Sequence, residues 1–201
     1  KTDSVVDAAA LQEGDSISQS FRDKVLCYYS RGTISLNNLK LSGQIAIVSE
    51  STIIIDNGCV LGNIMLLAPK IIFRKGTSVT VQAIARDSLI LEDEVMIGHP
   101  GALALLASKL SPDRAAIVTG EKCTITGTVL AWRNTDDFRK LAVIKIGKET
   151  TIHGIVYCNG NIDHKGKVYG SLYCTKLELK TPSSEYENHL LNAVIDRTRM
   201  S

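Results

Sequence analysis

Apolar residues alternate with other residues in short runs that recur every six positions between Ile47 and Gly98. Such alternation sends both apolar side chains of a run to one face of a strand. Three runs make a period of 18 residues, and TIIID (52–56), KIIFR (70–74) and SLILE (88–92) superimpose at that spacing without a gap. The pattern predicts these inward pairs: Ile53/Ile55, Cys59/Leu61, Met65/Leu67, Ile71/Phe73, Thr77/Val79, Ala83/Ala85, Leu89/Leu91 and Val95/Ile97.

Three short strands per period predict an all-β fold, a single-stranded and three-sided parallel β-helix with about 18 residues per coil. Stacked strands would lie about 4.8 Å apart and pair through their backbones. We favour a right-handed helix. The alternative is the left-handed hexapeptide type, in which an aliphatic residue precedes Gly, Ala, Glu or Asp. That rule is met at Leu61-Gly62 but fails at Phe73-Arg74 and Val79-Thr80.

The boundaries of the solenoid follow from where the repeat begins and ends. TISLNNLKLSG (33–43) matches TIIIDNGCVLG (52–62) at an offset of 19, so the β-solenoid is predicted over residues 25–178. Residues 1–24 lack a strand pattern, and we expect an N-terminal cap or linker with a short helix. Residues 179–201 are predicted to form a C-terminal cap or tail, because a repeat stack needs a different element at its end.

Two insertions interrupt the solenoid. The six-residue pattern is lost over residues 99–115, which we interpret as a short apolar helix or a wide loop ended by Pro112. Residues 115–132 then superimpose on residues 142–159 at an offset of 27. The polar residues 133–140 account for this excess, so they are predicted to form a surface insertion between two coils.

The last repeat, KVYGSLYC, superimposes on TIHGIVYC at an offset of 16. This register predicts that Tyr157 stacks on Tyr173 and that Cys158 stacks on Cys174. The tyrosines are interpreted as an outward aromatic ladder or as part of an interface. For the cysteines a disulfide is conceivable, but two free thiols are favoured because parallel, in-register geometry suits a bridge poorly.

Charged residues at outward positions are predicted to form a ladder in which opposite charges alternate. Cross-strand pairs of this kind contribute roughly 0.2–1 kcal/mol each, so we interpret these acids as structural rather than catalytic. The two predicted columns are Asp56, Arg74 and Glu92, and beside them Asn57, Lys75 and Asp93.

Composition narrows the range of partners. A net charge of +2 with 22% charged residues, and no run of Lys or Arg, argues against nucleic acid. No stretch approaches the 18 apolar residues that a membrane span needs. Because the sequence begins with Lys1 rather than Met, we expect an upstream signal or membrane anchor to precede it.

No catalytic, cofactor-binding or metal-binding site is predicted. The five cysteines form no CxxC or Cys/His spacing that would hold zinc, and Cys59 is expected to be a small core residue. No Ser/His/Asp set, phosphate loop or paired-carboxylate motif is present. The four histidines are interpreted as surface, loop or tail residues: His99, His153, His164 and His189.

The hydrophobic-x-Gly-x-hydrophobic pattern of TITGTV, TIHGIV and KVYGSL resembles the coils of bactofilin-type polymer-forming proteins. The run VYGSLYCTKLELKTPSSEYENHLLNAVIDR is also similar to uncharacterised envelope-associated proteins of Bacteroidetes-type bacteria. The resemblance covers about residues 115–196. It implies a right-handed, three-sided β-helix with a structural role, behind an N-terminal membrane segment, and no catalytic residue to transfer. The chain departs from the family in its two insertions and its capped-looking tail, whereas bactofilins polymerise through uncovered ends.

We therefore expect a non-enzymatic scaffold or protein-interaction module of the bacterial cell envelope, extracytoplasmic and membrane-anchored. Its partner would be another protein or a second copy of the chain, in a capped rod or a self-assembling polymer. The alternative is a hexapeptide-type acyltransferase or a carbohydrate-active β-helix enzyme. That alternative needs a cleft beside the insertions where His153, His164, Asp136 and Asp137 converge.

Overall fold

The computed structural model describes residues 4–112, 115–137, 140–180, 185–187 and 193–199. Within these residues the chain is all-β and contains no α-helix. Short 3-10 helices occur at Ala8–Ala10 and Arg197–Arg199. The all-β class predicted from the alternating pattern is confirmed.

The described residues form 17 strands that belong to one sheet. Their bounds, in chain order, are β1 (Ser4–Asp7), β2 (Ser16–Gln19), β3 (Leu26–Ser30), β4 (Ile34–Leu36), β5 (Lys40–Gly43), β6 (Ile45–Ser49), β7 (Thr52–Ile55), β8 (Val60–Phe73), β9 (Ser78–Leu91), β10 (Met96–Ala107), β11 (Ala116–Thr119), β12 (Thr124–Arg133), β13 (Val143–Ile146), β14 (Thr151–His164), β15 (Lys167–Lys180), β16 (Glu185–Glu187) and β17 (Val194–Ile195).

Most strands pair in parallel with the stretch one repeat away in the sequence. Ile53 of β7 lies opposite Ile71 of β8, which lies opposite Leu89 of β9, so the predicted offset of 18 residues is confirmed. Three successive parts of β8 pair in turn with β5, β6 and β7. We call the corresponding parts of every repeat its first, second and third segments. Equivalent positions of successive repeats therefore form columns.

Inward columns of aliphatic side chains make the core. Seven of the eight predicted inward pairs are buried, and Ile53, Ile71 and Leu89 are fully so. Each buried side chain packs on its copies in the repeats before and after, because the register places those copies directly opposite. The sheet is thus stabilised both by backbone pairing and by a continuous apolar interior.

The predicted inward pair Met65/Leu67 is wrong. Met65 is 37% exposed and Leu67 half-buried, whereas Ile64 and Leu66 fill the core. The cause is Asn63, which has a φ of 58° and adds one residue to β8 relative to β9. Asn tolerates this left-handed conformation better than most residues. Because side chains alternate with a period of two, one extra residue exchanges the inward and outward sets.

The N-terminal residues also differ from the expected helical cap or linker. β1 pairs in parallel with β3 at an offset of 22, and β2 pairs with β5 at an offset of 24. Residues 4–19 therefore begin the sheet and contain only one 3-10 turn of three residues. Their longer offsets put their apolar positions out of phase with the later repeats, which is why the pattern was not visible in the sequence.

The prediction of a helix or loop over residues 99–115 is wrong for the first part of this stretch, up to Ala107. β10 continues through this stretch, and Leu103 and Leu105 are buried in the core. Two extra residues at His99–Pro100 shift the register of β10 against both neighbouring strands, so the six-residue pattern is displaced rather than lost. Proline is tolerated here because a bulge does not require its missing N–H.

The second insertion begins after Arg133, not at it. Arg133 is the last residue of β12 and is only 2% exposed. Its guanidinium donates hydrogen bonds to the carbonyl oxygens of Ser111 at 2.8 Å and Pro112 at 2.9 Å. It thereby ties the end of the first insertion to the start of the second. The offsets of 27 and 16 predicted around this insertion are both confirmed.

At the C-terminus, strands continue into the residues that were predicted to form a cap or tail. β16 pairs antiparallel with the end of β15, and β17 pairs in parallel with its start. The inward residues Leu172, Cys174 and Leu177 of this last repeat are only partly buried. His189 lies outside the described residues. The described part of the tail therefore extends the sheet at its edge.

A column of glycines explains the hydrophobic-x-Gly-x-hydrophobic pattern. Gly101, Gly127, Gly154 and Gly170 lie opposite one another, and the last three have φ values of +143°, +146° and +152°. A Cβ atom on Gly154 would lie 1.9 Å from the carbonyl oxygen of Gly127. Only glycine combines this positive φ with such close approach between repeats.

Candidate interaction surface

A column of uncharged, mostly apolar side chains faces outward along the second segments of eight repeats. Each is at least partly exposed, although the alternating strand pattern would place a polar residue here. We call this the central column. In order along the sheet its members are Tyr29, Val48, Leu67, Ile84, Ala104, Leu130, Tyr157 and Tyr173.

Further exposed apolar residues flank the central column on both sides. Met65 and Ile155 belong to the outward column before it, and the paired residues Leu106 and Trp132 come two positions after it. Together with the central column they form what we call the apolar face. Contiguous exposed apolar patches are uncommon on monomeric proteins and mark interaction sites. The apolar face is therefore the strongest candidate functional surface among the described residues.

Charged groups border the eight residues of the central column: Asp7 lies opposite Tyr29 at its N-terminal end, and Glu50 and Arg86 lie two positions after it, in the outward column that also contains Leu106 and Trp132. The hydroxyl of Tyr29 donates a short hydrogen bond to the Glu50 carboxylate, which raises the pKa of the tyrosine. Farther along, Arg86 and Asp87 form an ion pair at 3.4 Å. A partner that covers the central column would consequently not have to desolvate an unpaired charge there.

The predicted outward ladder of Tyr157 and Tyr173 is confirmed. The two residues are opposite each other and are 40% and 56% exposed. The sequence predicts only these two members of the central column as outward residues, and it places Leu67 in the core. The sequence signal that identifies the other members is the run of consecutive apolar residues in each second segment, such as LALLA in β10.

Cys158 and Cys174 lie opposite each other in the last two repeats, and both are free thiols. Cys158 is buried and donates a weak hydrogen bond to the carbonyl oxygen of Ala142 at 3.4 Å. Burial raises the pKa of its thiol to about 12. Cys174 is half-buried opposite it, and burial also raises the pKa of that thiol. The favoured prediction of two free thiols is confirmed, and neither is activated as a nucleophile.

The predicted charge ladder is present in part. Arg74 forms a salt bridge with Glu92 in the next repeat at 2.7 Å, and this hydrogen bond lowers the pKa of Glu92. Lys75 pairs with Glu94 at 3.3 Å instead of with the predicted Asp93, which accepts a backbone N–H from a later repeat. Because these side chains are exposed, each pair contributes little to stability.

His153 lies in an outward position, as predicted. Its ring is 5.2 Å from the ring of Tyr169 one repeat later, measured between centroids. The guanidinium carbon of Arg199 lies 5.8 Å from the centre of the same tyrosine ring. His153 thus packs against Tyr169, whose ring is also contacted by Arg199. His99 is exposed in the bulge of β10.

The predicted surface position of His164 is wrong. Its side chain is 1% exposed, since it lies opposite Ile146 in an inward column and β17 covers it. Nε2 donates to the carbonyl oxygen of Val194 at 3.2 Å, while Nδ1 has no hydrogen-bond partner among the described residues. The neighbouring Asp163 is also buried and forms an ion pair with Lys165 at 3.2 Å. Burial lowers the pKa of His164.

Stability should fall below about pH 6.5 because of His164. A lowered native pKa means that the unfolded chain takes up a proton before the native protein does, so acid favours unfolding. Urea denaturation at about pH 7.5 and about pH 5.5 should show a loss of about 1 kcal/mol that His164→Gln removes. His99→Gln, at an exposed position, is the control. An unchanged pH dependence in His164→Gln would contradict this prediction.

A shallow polar hollow of about 300 Å³ lies beside the two insertions. Asp136 and Asp137 line it together with Lys109, which forms a salt bridge with Asp136 at 2.8 Å. Neither His153 nor His164 lines this hollow. The four residues that an enzymatic alternative required are therefore not brought together by the fold.

The described part of the chain contains no cluster of three or more His, Cys, Asp or Glu residues arranged to hold a metal ion. Nor does any helix within it have the length and apolar character needed to cross a membrane.

No similar protein is found from which a binding partner for the apolar face could be inferred. The likeness of the glycine motif to bactofilins stays a prediction from the sequence. Comparison with protein-family models, with curated proteins and with solved structures finds no match for this chain.

Proposed function

We propose that this protein is a non-enzymatic scaffold, a rod-like three-sided β-helix that docks a protein partner on its apolar face. The single observation that carries the proposal is the central column, in which eight successive repeats present an uncharged and mostly apolar side chain outward. A right-handed coil is the favoured form, in keeping with the resemblance to bactofilins.

Rigidity suits this role. Parallel pairing fixes each repeat against two neighbours, and the continuous core leaves few ways for one repeat to move alone. Eight positions spaced about 4.8 Å apart make a straight surface about 34 Å long. A preformed surface of this length loses little conformational entropy on binding, which favours affinity.

We place the scaffold in the bacterial cell envelope, held by a membrane segment that precedes this sequence, as the motif resemblance implies. A capped rod is favoured over an end-to-end polymer, because β16 and β17 already pair with the last long strand. Light scattering after size-exclusion chromatography, with electron microscopy at rising concentration, separates the two forms. Filaments that lengthen as the concentration rises would show that the protein forms an end-to-end polymer and not a capped rod.

Site-specific photo-cross-linking in the producing cells tests the proposed docking surface. A photoreactive phenylalanine analogue would replace Leu67, Leu130 or Tyr157 on the apolar face. Controls carry it at Val60 or Met96, which are exposed on the first segment. Discrete protein adducts are expected from the apolar face alone. Equal adducts from all five positions, or none from the apolar face, would refute the proposal.

A further inference from the structure

We infer that the partner of the apolar face is a second copy of this chain, docked face to face and antiparallel about a two-fold axis. This inference rests on the proposed function and names its partner. Three properties of the described surface support it: the spacing of its outward side chains, the distribution of side-chain size along it, and its area together with the absence of charge from the eight residues of the central column.

The spacing of the stacked strands, each of which contributes one rung to the central column, favours a second copy of this chain over an unrelated partner. Outward side chains of the central column recur about every 4.8 Å along the sheet, with shallow gaps between them. A second copy carries side chains at the same spacing, so the two columns can stay in register, residue against residue, along their whole length. An α-helical partner places neighbouring side chains of one face about 5–6 Å apart and would lose register within a few rungs.

Side-chain size favours the antiparallel orientation. Large exposed residues cluster toward the C-terminal half of the face, where Trp132, Tyr157 and Tyr173 lie, whereas the N-terminal half has mainly smaller aliphatic side chains. An axis between Ile84 and Ala104 sets Tyr157 against the smaller Val48 and Ala104 against the larger Ile84, and it brings the aromatic rings of Tyr29 and Tyr173 together at the ends. The facing pairs would be Ile84–Ala104, Leu67–Leu130, Val48–Tyr157 and Tyr29–Tyr173.

This arrangement is isologous, since each facing pair occurs twice about the axis and the contact closes on itself. A parallel arrangement would instead set bulky residues against their own copies and leave Ala104 against Ala104. Gaps and overlaps would then alternate along the interface, and both are destabilising.

Area and charge fit a homodimer of moderate affinity. Three outward columns about 34 Å long and roughly 17 Å across give about 600 Å² per copy, or about 1,200 Å² in total, which is the low end for a specific interface. Glu50 and Arg86 lie in the outward column that also contains Leu106 and Trp132, and Arg86 is paired with Asp87 there. The eight residues of the central column carry no charge, so no charge meets its own copy along the middle of the interface. We expect a dissociation constant in the micromolar range.

Sedimentation equilibrium of the full chain tests the dimer. The wild-type protein should pass from monomer to dimer as concentration rises. Tyr157→Glu and Leu130→Glu should each weaken association at least tenfold, equivalent to about 1.4 kcal/mol. Val60→Glu and Met96→Glu, at exposed apolar positions on another segment, should leave it unchanged. Circular dichroism identifies any variant that fails to fold, and Tyr157→Glu is the safer change because that side chain is already exposed.

A charge-pair rescue tests the orientation. Val48 and Tyr157 face each other only if the copies are antiparallel about the inferred axis. Val48→Lys and Tyr157→Glu should each associate weakly alone, whereas an equimolar mixture should recover a heterodimer. Failure of the mixture to recover would overturn the antiparallel arrangement.

The remaining outcomes separate this inference from the proposed function. A wild-type chain that stays monomeric at all concentrations, while the apolar face cross-links to a different protein in cells, would overturn the homodimer and leave the scaffold. Cosedimentation with phosphatidylcholine vesicles that Tyr157→Glu abolishes would assign the face to lipid and overturn both. Equal weakening by the Val60→Glu and Met96→Glu controls would also overturn the inference.

Discussion

Substituting Gly154 by alanine should destabilise this protein by about 3–6 kcal/mol. The added Cβ atom would lie 1.9 Å from the carbonyl oxygen of Gly127, and the φ of +146° is itself unfavourable for alanine. The contacting atom belongs to the backbone of a paired strand, so it cannot rotate away. Urea denaturation followed by circular dichroism would measure the loss.

Gly14→Ala is the matched control, because Gly14 has a φ of +90° but no atom within 4 Å of the place that the added methyl group would take. It should cost only about 1–2 kcal/mol, the penalty for a left-handed alanine. Similar losses at the two positions would mean that the repeats are not in the close contact described at Gly154.

Ile71→Ala should cost about 2–5 kcal/mol, because it leaves a cavity in a fully buried column. Ile53 and Leu89 lie on either side of it in the neighbouring repeats and are held by backbone pairing, so they cannot collapse into the space. Arg74→Ala, which removes an exposed salt bridge, should cost under about 1 kcal/mol.

Ile72→Ala provides a control with the same chemical change. Ile72 is adjacent in sequence but points outward and is only half-buried, so its loss should fall between the other two. Chemical denaturation of the three variants should rank them Ile71, Ile72, Arg74. A larger loss for Arg74→Ala than for Ile71→Ala would contradict the 18-residue register.

The repeat register could be predicted from the sequence because the third segments alternate cleanly and share one length. Ile53, Ile71 and Leu89 superimpose with no insertion between them, and the structure keeps that alignment. The bulges could not be predicted in the same way. A single residue at Asn63, or two at His99–Pro100, changes which side chains point inward without changing the composition of the strand.

The apolar face could not be predicted from the sequence for a different reason. Where both faces of a strand are apolar, alternation no longer identifies which side is buried, and a run such as LALLA is compatible with either phase. The burial of His164 likewise depends on contacts with β17, which is distant in sequence. Such features follow from packing between repeats, and a linear pattern records only part of that packing.

The shared 18-residue offset of the central repeats has a consequence for the evolution of the chain. Each central repeat contacts mainly the repeats before and after it, so a whole period is a unit that can be duplicated or deleted. Removing residues 57–74 would join Asp56 to Lys75 and leave the remaining strands aligned, because 18 residues separate equivalent positions there. The molecule would become shorter by about 4.8 Å, the distance between paired strands. Its length is therefore an independently adjustable property, and relatives that span different distances need differ only in their number of repeats.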